Sequence, residues 1–138
     1  MLRKSGKVTD RLDYDFVEIP DLAQTFTVTC CMLGIPFHFK GLQSLKIKET
    51  DRINALKVEM RKLGYVLEDR NDSELIWQGQ RCDPENDASI DTYEDHRMAM
   101  AFAPATIKTG RLRINNPQVV SKSYPHFWED LISVGFSI

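Results

Sequence analysis

The sequence predicts an α+β fold in which a mixed sheet packs against helices in two layers. Three observations support this. Apolar helical runs that end at glycines alternate with short strands, two β-rich runs flank the turn-forming Arg70-Asn71-Asp72-Ser73, and the order helix, glycine, strand, helix occurs twice.

The first element is a short strand at Tyr14-Asp15-Phe16-Val17. Ile19-Pro20-Asp21 interrupts it and offers Asp21 as a helix cap. Residues 22 to 33 are apolar nearly all round, with Gln24, Thr25, Thr27 and Thr29 as the polar interruptions. They read as a buried helix, and their β-branched content leaves a strand as the rival reading. Gly34 stops this run, and Ile35-Pro36-Phe37-His38-Phe39-Lys40 alternates like a half-buried strand that Gly41 ends.

Between residues 51 and 63, Ile53, Leu56, Met60 and Leu63 lie on one helical stripe, closed by Gly64. Tyr65-Val66-Leu67-Glu68 and Glu74-Leu75-Ile76-Trp77 then form a hairpin, followed by a loop over residues 80 to 88. The Ala- and Met-rich residues 96 to 108 predict another buried helix, kinked at Pro104 and closed by Gly110. Arg111-Leu112-Arg113-Ile114 is a further strand, and residues 127 to 132 form a last helix ending at Gly135. The repeated order places two copies of one α/β unit at roughly residues 21 to 68 and 92 to 138. Residues 1 to 138 read as a single, partial domain of a larger array.

With 138 residues, 42% of them hydrophobic, the chain can bury one real core. Its formal charge of −2 argues against a general attraction to nucleic acid, so any basic site is local. Cys30, Cys31 and Cys82 are odd in number, and two are adjacent in an apolar run. This fits reduced core thiols rather than a disulfide framework or metal site. No apolar run approaches the ~20 residues of a membrane span. The polar start Met1-Leu2-Arg3-Lys4-Ser5-Gly6-Lys7 lacks a signal-peptide core, so the expected location is the cytoplasm.

The chemistry concentrates in Lys48-Glu49-Thr50-Asp51-Arg52, read as the first turn of a helix. Cations there oppose the positive helix start unless an anion offsets them. Asp95-His96-Arg97 and Lys122-Ser123-Tyr124-Pro125 repeat the feature, so three basic helix entrances point to one polyanionic site. Lys48 and Arg52 can share a face with Glu49 between them, a set able to grip a phosphate-bearing acid while Glu49 donates or accepts a proton. The spacing equally fits a solvated charge run. His38 and His126 read as structural or surface groups, and Trp77 and Trp128 carry no functional signal.

Three motifs in order, Lys48-Glu49-Thr50-Asp51-Arg52, Thr92-Tyr93-Glu94-Asp95-His96-Arg97-Met98-Ala99-Met100 and Ser121-Lys122-Ser123-Tyr124-Pro125, resemble the C-terminal portion of the EPSP synthase family, the 3-phosphoshikimate 1-carboxyvinyltransferases. The resemblance runs from about Ile19 to the C-terminus, and Ile19-Pro20-Asp21 matches the segment that carries the family's catalytic aspartate. It implies repeated βαβαββ units within an inside-out α/β barrel domain. The implied reaction transfers the enolpyruvyl group of phosphoenolpyruvate to the 5-hydroxyl of shikimate 3-phosphate by addition and elimination, in the shikimate pathway of aromatic amino acid biosynthesis. No metal or organic cofactor is implied.

The matching positions then take roles. Asp21 is the base near the 5-hydroxyl and Glu49 the acid that protonates the phosphoenolpyruvate methylene, while Lys48 lies near both substrates. Arg52 and Arg97 hold the phosphoenolpyruvate carboxylate and Lys122 contacts its phosphate. Ser44 stands where some members use Asn to contact shikimate 3-phosphate. His96 is either a group orienting Glu49 or a packed ring, and Asp95 a helix cap.

The family's remaining N-terminal portion supplies other phosphate contacts, so the isolated chain is expected to be inactive and to self-associate through uncovered apolar surface. Two rivals are an enolpyruvyl transferase acting on a UDP-aminosugar, which shares the fold but lacks these signatures, and a non-catalytic anion-binding or assembly module. Neither nucleic acid nor a membrane is an expected partner.

Overall fold

The computed structural model describes residues 11–48 and 50–138; the polar lead and Glu49 lie outside the described residues. Strand β1 (Leu12–Asp15) runs parallel to β2 (Phe37–Lys40), with Leu12 opposite Phe37 and Asp15 opposite Lys40. A parallel pair needs a crossover. Here it consists of a 3₁₀ turn at Pro20–Leu22 followed by helix α1 (Ala23–Leu33), which Gly34 ends at φ 71°.

The hairpin of β3 (Glu68–Arg70) and β4 (Glu74–Trp77) turns through Asn71 and Asp72 at φ 54° and 52°. Short polar side chains tolerate that left-handed region. Strand β4 pairs antiparallel with β2, placing Trp77 opposite Phe37, so the mixed sheet has the order β1-β2-β4-β3. Phe37 and Phe39 are buried while Lys40 is exposed, which is the alternation of a one-sided strand.

A 3₁₀ turn at Gln43–Ile47 leads to α2 (Arg52–Lys62). Asp51 caps α2 by accepting from the Asn54 amide at 3.1 Å. A second, two-stranded parallel sheet joins β5 (Ser89–Ile90) to β6 (Arg113–Ile114). Between these strands run α3 (His96–Phe102), a 3₁₀ turn at Ala103–Ala105, and α4 (Thr106–Thr109). Pro104 has no amide hydrogen to donate to the preceding turn, and the helix tightens there before resuming. The chain closes with a 3₁₀ turn at Pro117–Val120 and helix α5 (Phe127–Ser133).

One core unites Phe37, Phe39, Leu75 and Trp77 of the sheet with Val28, Ile53, Leu56, Met60, Met98 and Phe102 of α1, α2 and α3. A smaller cluster of Ala99, Ala103, Val120 and Phe127 seats α5 beside α3. Among the described residues, no helix is long and apolar enough to cross a membrane. Cys30 and Cys31 are buried free thiols, and burial raises the pKa of both; at Cys31 the Cys30 charge adds to the rise and Arg81 opposes it.

The first arm of the hairpin is Glu68–Arg70 rather than the expected residues 65–68, where Tyr65 makes only an isolated bridge to Arg81. Strand β1 is Leu12–Asp15 rather than residues 14–17, and Asp21 does not cap α1, because it lies inside the 3₁₀ turn that precedes the helix. Three further expectations differ. Helix α1 is not buried all round, because it packs through one face and leaves Thr25, Phe26, Thr29 and Leu33 exposed along the other, continuing from the exposed Leu22 of the preceding turn. Lys48 is not in the first turn of α2. It follows the preceding 3₁₀ turn in an extended conformation, while Asp51 takes the capping position and Arg52 is the first helical residue. Lys122 does not open a helix either: it lies in an exposed turn, and α5 starts at Phe127 because Pro125 holds the chain out of helical geometry just before it.

Candidate active site

Asp21, in the 3₁₀ turn that opens the crossover, is the meeting point of three cations from three other segments. Arg52, the first residue of α2, donates from Nη1 to Asp21 Oδ1 at 3.1 Å. Lys48 Nζ stands 3.9 Å from the same oxygen. Arg97, in the first turn of α3, places Nη2 3.9 Å from Asp21 Oδ2 and donates from Nη1 to the Asp21 carbonyl at 3.4 Å. The 3.9 Å contacts are attractive but too long for hydrogen bonds, so Lys48 and Arg97 keep donors available for a further anion.

Arg52 is held differently. Its side chain is 2% exposed, and Nε and Nη2 donate to the two oxygens of Asp95 at 2.7 and 3.1 Å. Asp95 is 0% exposed and also caps α3 by accepting from the Arg97 amide at 2.9 Å. A planar guanidinium locked by a bidentate carboxylate loses its rotational freedom. Gln24 of α1, also buried, donates to Asp95 at 3.5 Å, while its amide oxygen finds no partner among the described residues. Lys46 bonds the Asp51 cap at 2.7 Å, a contact that raises the pKa of its ammonium.

Among the described residues, then, three cations at this cluster face the carboxylates of Asp21 and Asp95, which leaves an excess of positive charge beside a half-exposed Asp21. Such a cluster suits a carboxylate or phosphate ligand.

A sequence profile described as EPSP synthase (3-phosphoshikimate 1-carboxyvinyltransferase) matches residues 3–131. The chain belongs to the EPSP synthase family. It is 64% identical over 137 residues to a 3-phosphoshikimate 1-carboxyvinyltransferase of Bacteroides fragilis, an alignment covering 99% of this chain and 33% of that protein. The namesake proteins of Burkholderia vietnamiensis and Janthinobacterium sp. are 40% and 38% identical, over 90% and 95% of this chain and 28% and 30% of their own lengths. The chain thus spans about a third of the length of the relatives it matches.

Of the residues that the EPSP synthase resemblance singles out, Asp21, Lys48, Arg52 and Arg97 converge, although they are spread over 77 positions of the sequence. Glu49 lies outside the described residues. Ser44, half-buried in the 3₁₀ turn before Lys48, His96, half-buried at the start of α3, and the exposed Lys122 make no side-chain hydrogen bond or ion pair with a described residue. Asp95 does more than cap: it fixes Arg52, a role that its place before a helical run did not reveal. Gln24 gave one usable signal, a polar side chain in an otherwise apolar helix.

Proposed function

We propose that this chain acts as part of a longer 3-phosphoshikimate 1-carboxyvinyltransferase, transferring the enolpyruvyl group of phosphoenolpyruvate to the 5-hydroxyl of shikimate 3-phosphate. The observation that carries this reading is the convergence of Lys48, Arg52 and Arg97 on Asp21. In the proposed reaction Arg52 and Arg97 hold the phosphoenolpyruvate carboxylate, and Lys122 contacts the phosphate that leaves. Glu49 protonates the methylene carbon as the C–O bond to the 5-oxygen forms, and Asp21 takes the hydroxyl proton. The tetrahedral adduct then eliminates: the Glu49 carboxylate takes back a proton from the new methyl group as the C–O bond to phosphate breaks. The leaving phosphate takes the proton held by Asp21, which yields the enol ether and restores both carboxyl groups. Lys48 neutralises charge near both substrates, Ser44 contacts shikimate 3-phosphate, and His96 orients Glu49.

The same reading makes the isolated 138-residue chain inactive, because the additional phosphate contacts lie in the family's remaining portion. It also makes the chain prone to self-association through apolar side chains such as Leu22, Phe26 and Leu33, which are 41%, 42% and 68% exposed. The order α1, Gly34, β2, 3₁₀ turn, α2 recurs as α3 with α4, Gly110, β6, 3₁₀ turn, α5, which supports residues 21–68 and 92–138 as two copies of one unit of an inside-out barrel domain. A cytoplasmic location fits this chemistry.

Phosphate release from phosphoenolpyruvate plus shikimate 3-phosphate tests the proposal. The full-length protein is expected to turn over and the 138-residue chain alone is not; turnover by the chain alone overturns its inactivity, and no turnover by the full-length protein overturns the reaction. Glu49→Gln in the full-length protein is expected to lower kcat by at least ~10², whereas a mere anion-binding module loses nothing measurable in phosphoenolpyruvate binding and has no turnover to lose.

A further inference from the structure

Glu59 lies inside the protein at 0% exposure, two turns along α2 from Arg52 on the same face. Burying a carboxylate is costly unless every lone pair is used, and here the partners are specific. Glu59 Oε1 accepts from Lys62 Nζ at 2.6 Å and from the Asp91 amide at 2.8 Å, while Oε2 accepts from the Tyr93 hydroxyl at 2.6 Å. Lys62 also donates to the Ser89 carbonyl at 3.0 Å and to Asp91 at 3.3 Å, which anchors it to β5.

Two of these partners, Asp91 and Tyr93, belong to the segment that delivers Asp95 and Arg97. The Asp95 amide donates to the Thr92 carbonyl at 2.7 Å, closing a tight turn whose central residues, Tyr93 and Glu94, sit at φ 54° and 55°. Two successive non-glycine residues in the left-handed region cost about 1–2 kcal/mol each, so the surroundings must hold this turn closed. From the far side, Thr92 Oγ1 donates to the Asn115 carbonyl at 2.9 Å. Helix α2 therefore grips one strained turn at two places, through Glu59 at its start and through Arg52 at its end. Burial, followed by the Glu59 hydrogen bond and charge, raises the pKa of the Tyr93 hydroxyl, so it stays a donor.

We propose that Glu59 is a positioning residue for the anion site: by holding the Tyr93 hydroxyl and the Asp91 amide it keeps the turn over residues 92–95 closed, and so sets how Asp95 orients Arg52 and where Arg97 is presented. This rests on the reading of Arg52 and Arg97 as the phosphoenolpyruvate carboxylate site. Glu59 touches no substrate. It acts through Tyr93 and Asp95.

The test uses the full-length protein, with KM for each substrate, kcat and Tm measured for Glu59→Gln, Tyr93→Phe, Arg97→Ala and a remote core control, Phe37→Leu. Gln keeps an acceptor for Lys62 and the Asp91 amide but removes the negative charge and reverses the hydrogen bond to Tyr93, its NH₂ donating where Oε2 accepted, and Tyr93→Phe deletes only the hydroxyl. Both variants are expected to raise the KM for phosphoenolpyruvate about tenfold, with the KM for shikimate 3-phosphate changed less than about twofold, whereas Phe37→Leu lowers Tm and leaves both KM values alone. Should Glu59→Gln fail to fold, Tyr93→Phe carries the test. An unchanged phosphoenolpyruvate KM in the folded variants overturns the proposal, as does a KM rise in Phe37→Leu that matches its loss of Tm. Arg97→Ala separates the two levels: if it raises that KM and the Glu59 and Tyr93 variants do not, only the positioning role fails, and if it has no effect the carboxylate site itself is misread.

Discussion

Arg52 donates to both oxygens of Asp95, from Nε at 2.7 Å and Nη2 at 3.1 Å, and the two side chains are almost wholly closed to water. Breaking a buried pair by removing one partner leaves an uncompensated charge inside the protein. Asp95→Ala is therefore expected to cost about 3–5 kcal/mol, the lost α3 cap included, whereas Asp95→Asn, which keeps one acceptor, costs less. Urea unfolding measures this; an alanine variant with the parent midpoint would refute the coupling.

Two glycines with similar backbone angles should respond differently to alanine. At Gly41, φ 75°, an added Cβ would lie 2.2 Å from Asp15 Oδ1 and 2.5 Å from the Val17 amide nitrogen, where the chain leaving β1 crosses the end of β2. At Gly34, φ 71°, no described residue beyond its chain neighbours lies within 4 Å of an added Cβ. Gly34→Ala is expected to cost about 1–2 kcal/mol, the left-handed penalty alone. Gly41→Ala should cost clearly more, since backbone must move. Equal thermal unfolding shifts for the two would contradict the crossing.

The pH response follows from hydrogen bonds and ion pairs that lower carboxylate pKa values. Asp69 is held below its ordinary 3.8, chiefly by its hydrogen bond to Lys57, and Asp91 likewise, chiefly by Asn115 and then Lys62. Because these folded-state values lie below the unfolded ones, the stabilisation is complete well above pH 3.8 and drains away as the pH falls through and below that value. Lys57→Met should reduce stability at neutral pH, and the gap from the parent should close toward about pH 3. Urea midpoints across that range would show it; a gap that widens in acid would reverse the assignment.

The Arg97 side chain is partly exposed and, among the described residues, makes one long hydrogen bond to the Asp21 carbonyl and a 3.9 Å contact to its carboxylate. Arg97→Ala should consequently change folding stability by no more than about 0.5 kcal/mol, while turnover of the full-length protein falls by on the order of 10²-fold. Loss of both together, tracked by thermal unfolding and phosphate release, would mean that Arg97 is structural instead.

Local signals accounted for most elements. Gly34 and Gly64 mark where α1 and α2 stop, the polar run over residues 70–73 marks the hairpin, and Asp51 and Asp95 precede α2 and α3 as caps. At two positions capping and proline geometry outweigh the charge pattern. Lys48 and Lys122 carry the charge expected of site cations but not the helical positions assigned to them, because Asp51 and Pro125 decide where the following helices can begin.

Hydrophobic period and turn chemistry act over a few residues, so strands, helices and the three basic motifs could be read in order from one end of the chain to the other. Burial acts between segments. Nothing in the neighbourhood of Arg52, Glu59 or Asp95 distinguishes them from solvated charges, apart from Glu59 lying beside the stripe of Leu56, Met60 and Leu63. The packing of α2 against α1, β5 and the turn before α3 buries them, and pairs Arg52 with Asp95 and Glu59 with Lys62 and Tyr93. The cost of an unpaired charge in a low-dielectric interior is what makes that pairing specific, and it depends on neighbours 43 and 34 residues away in the chain.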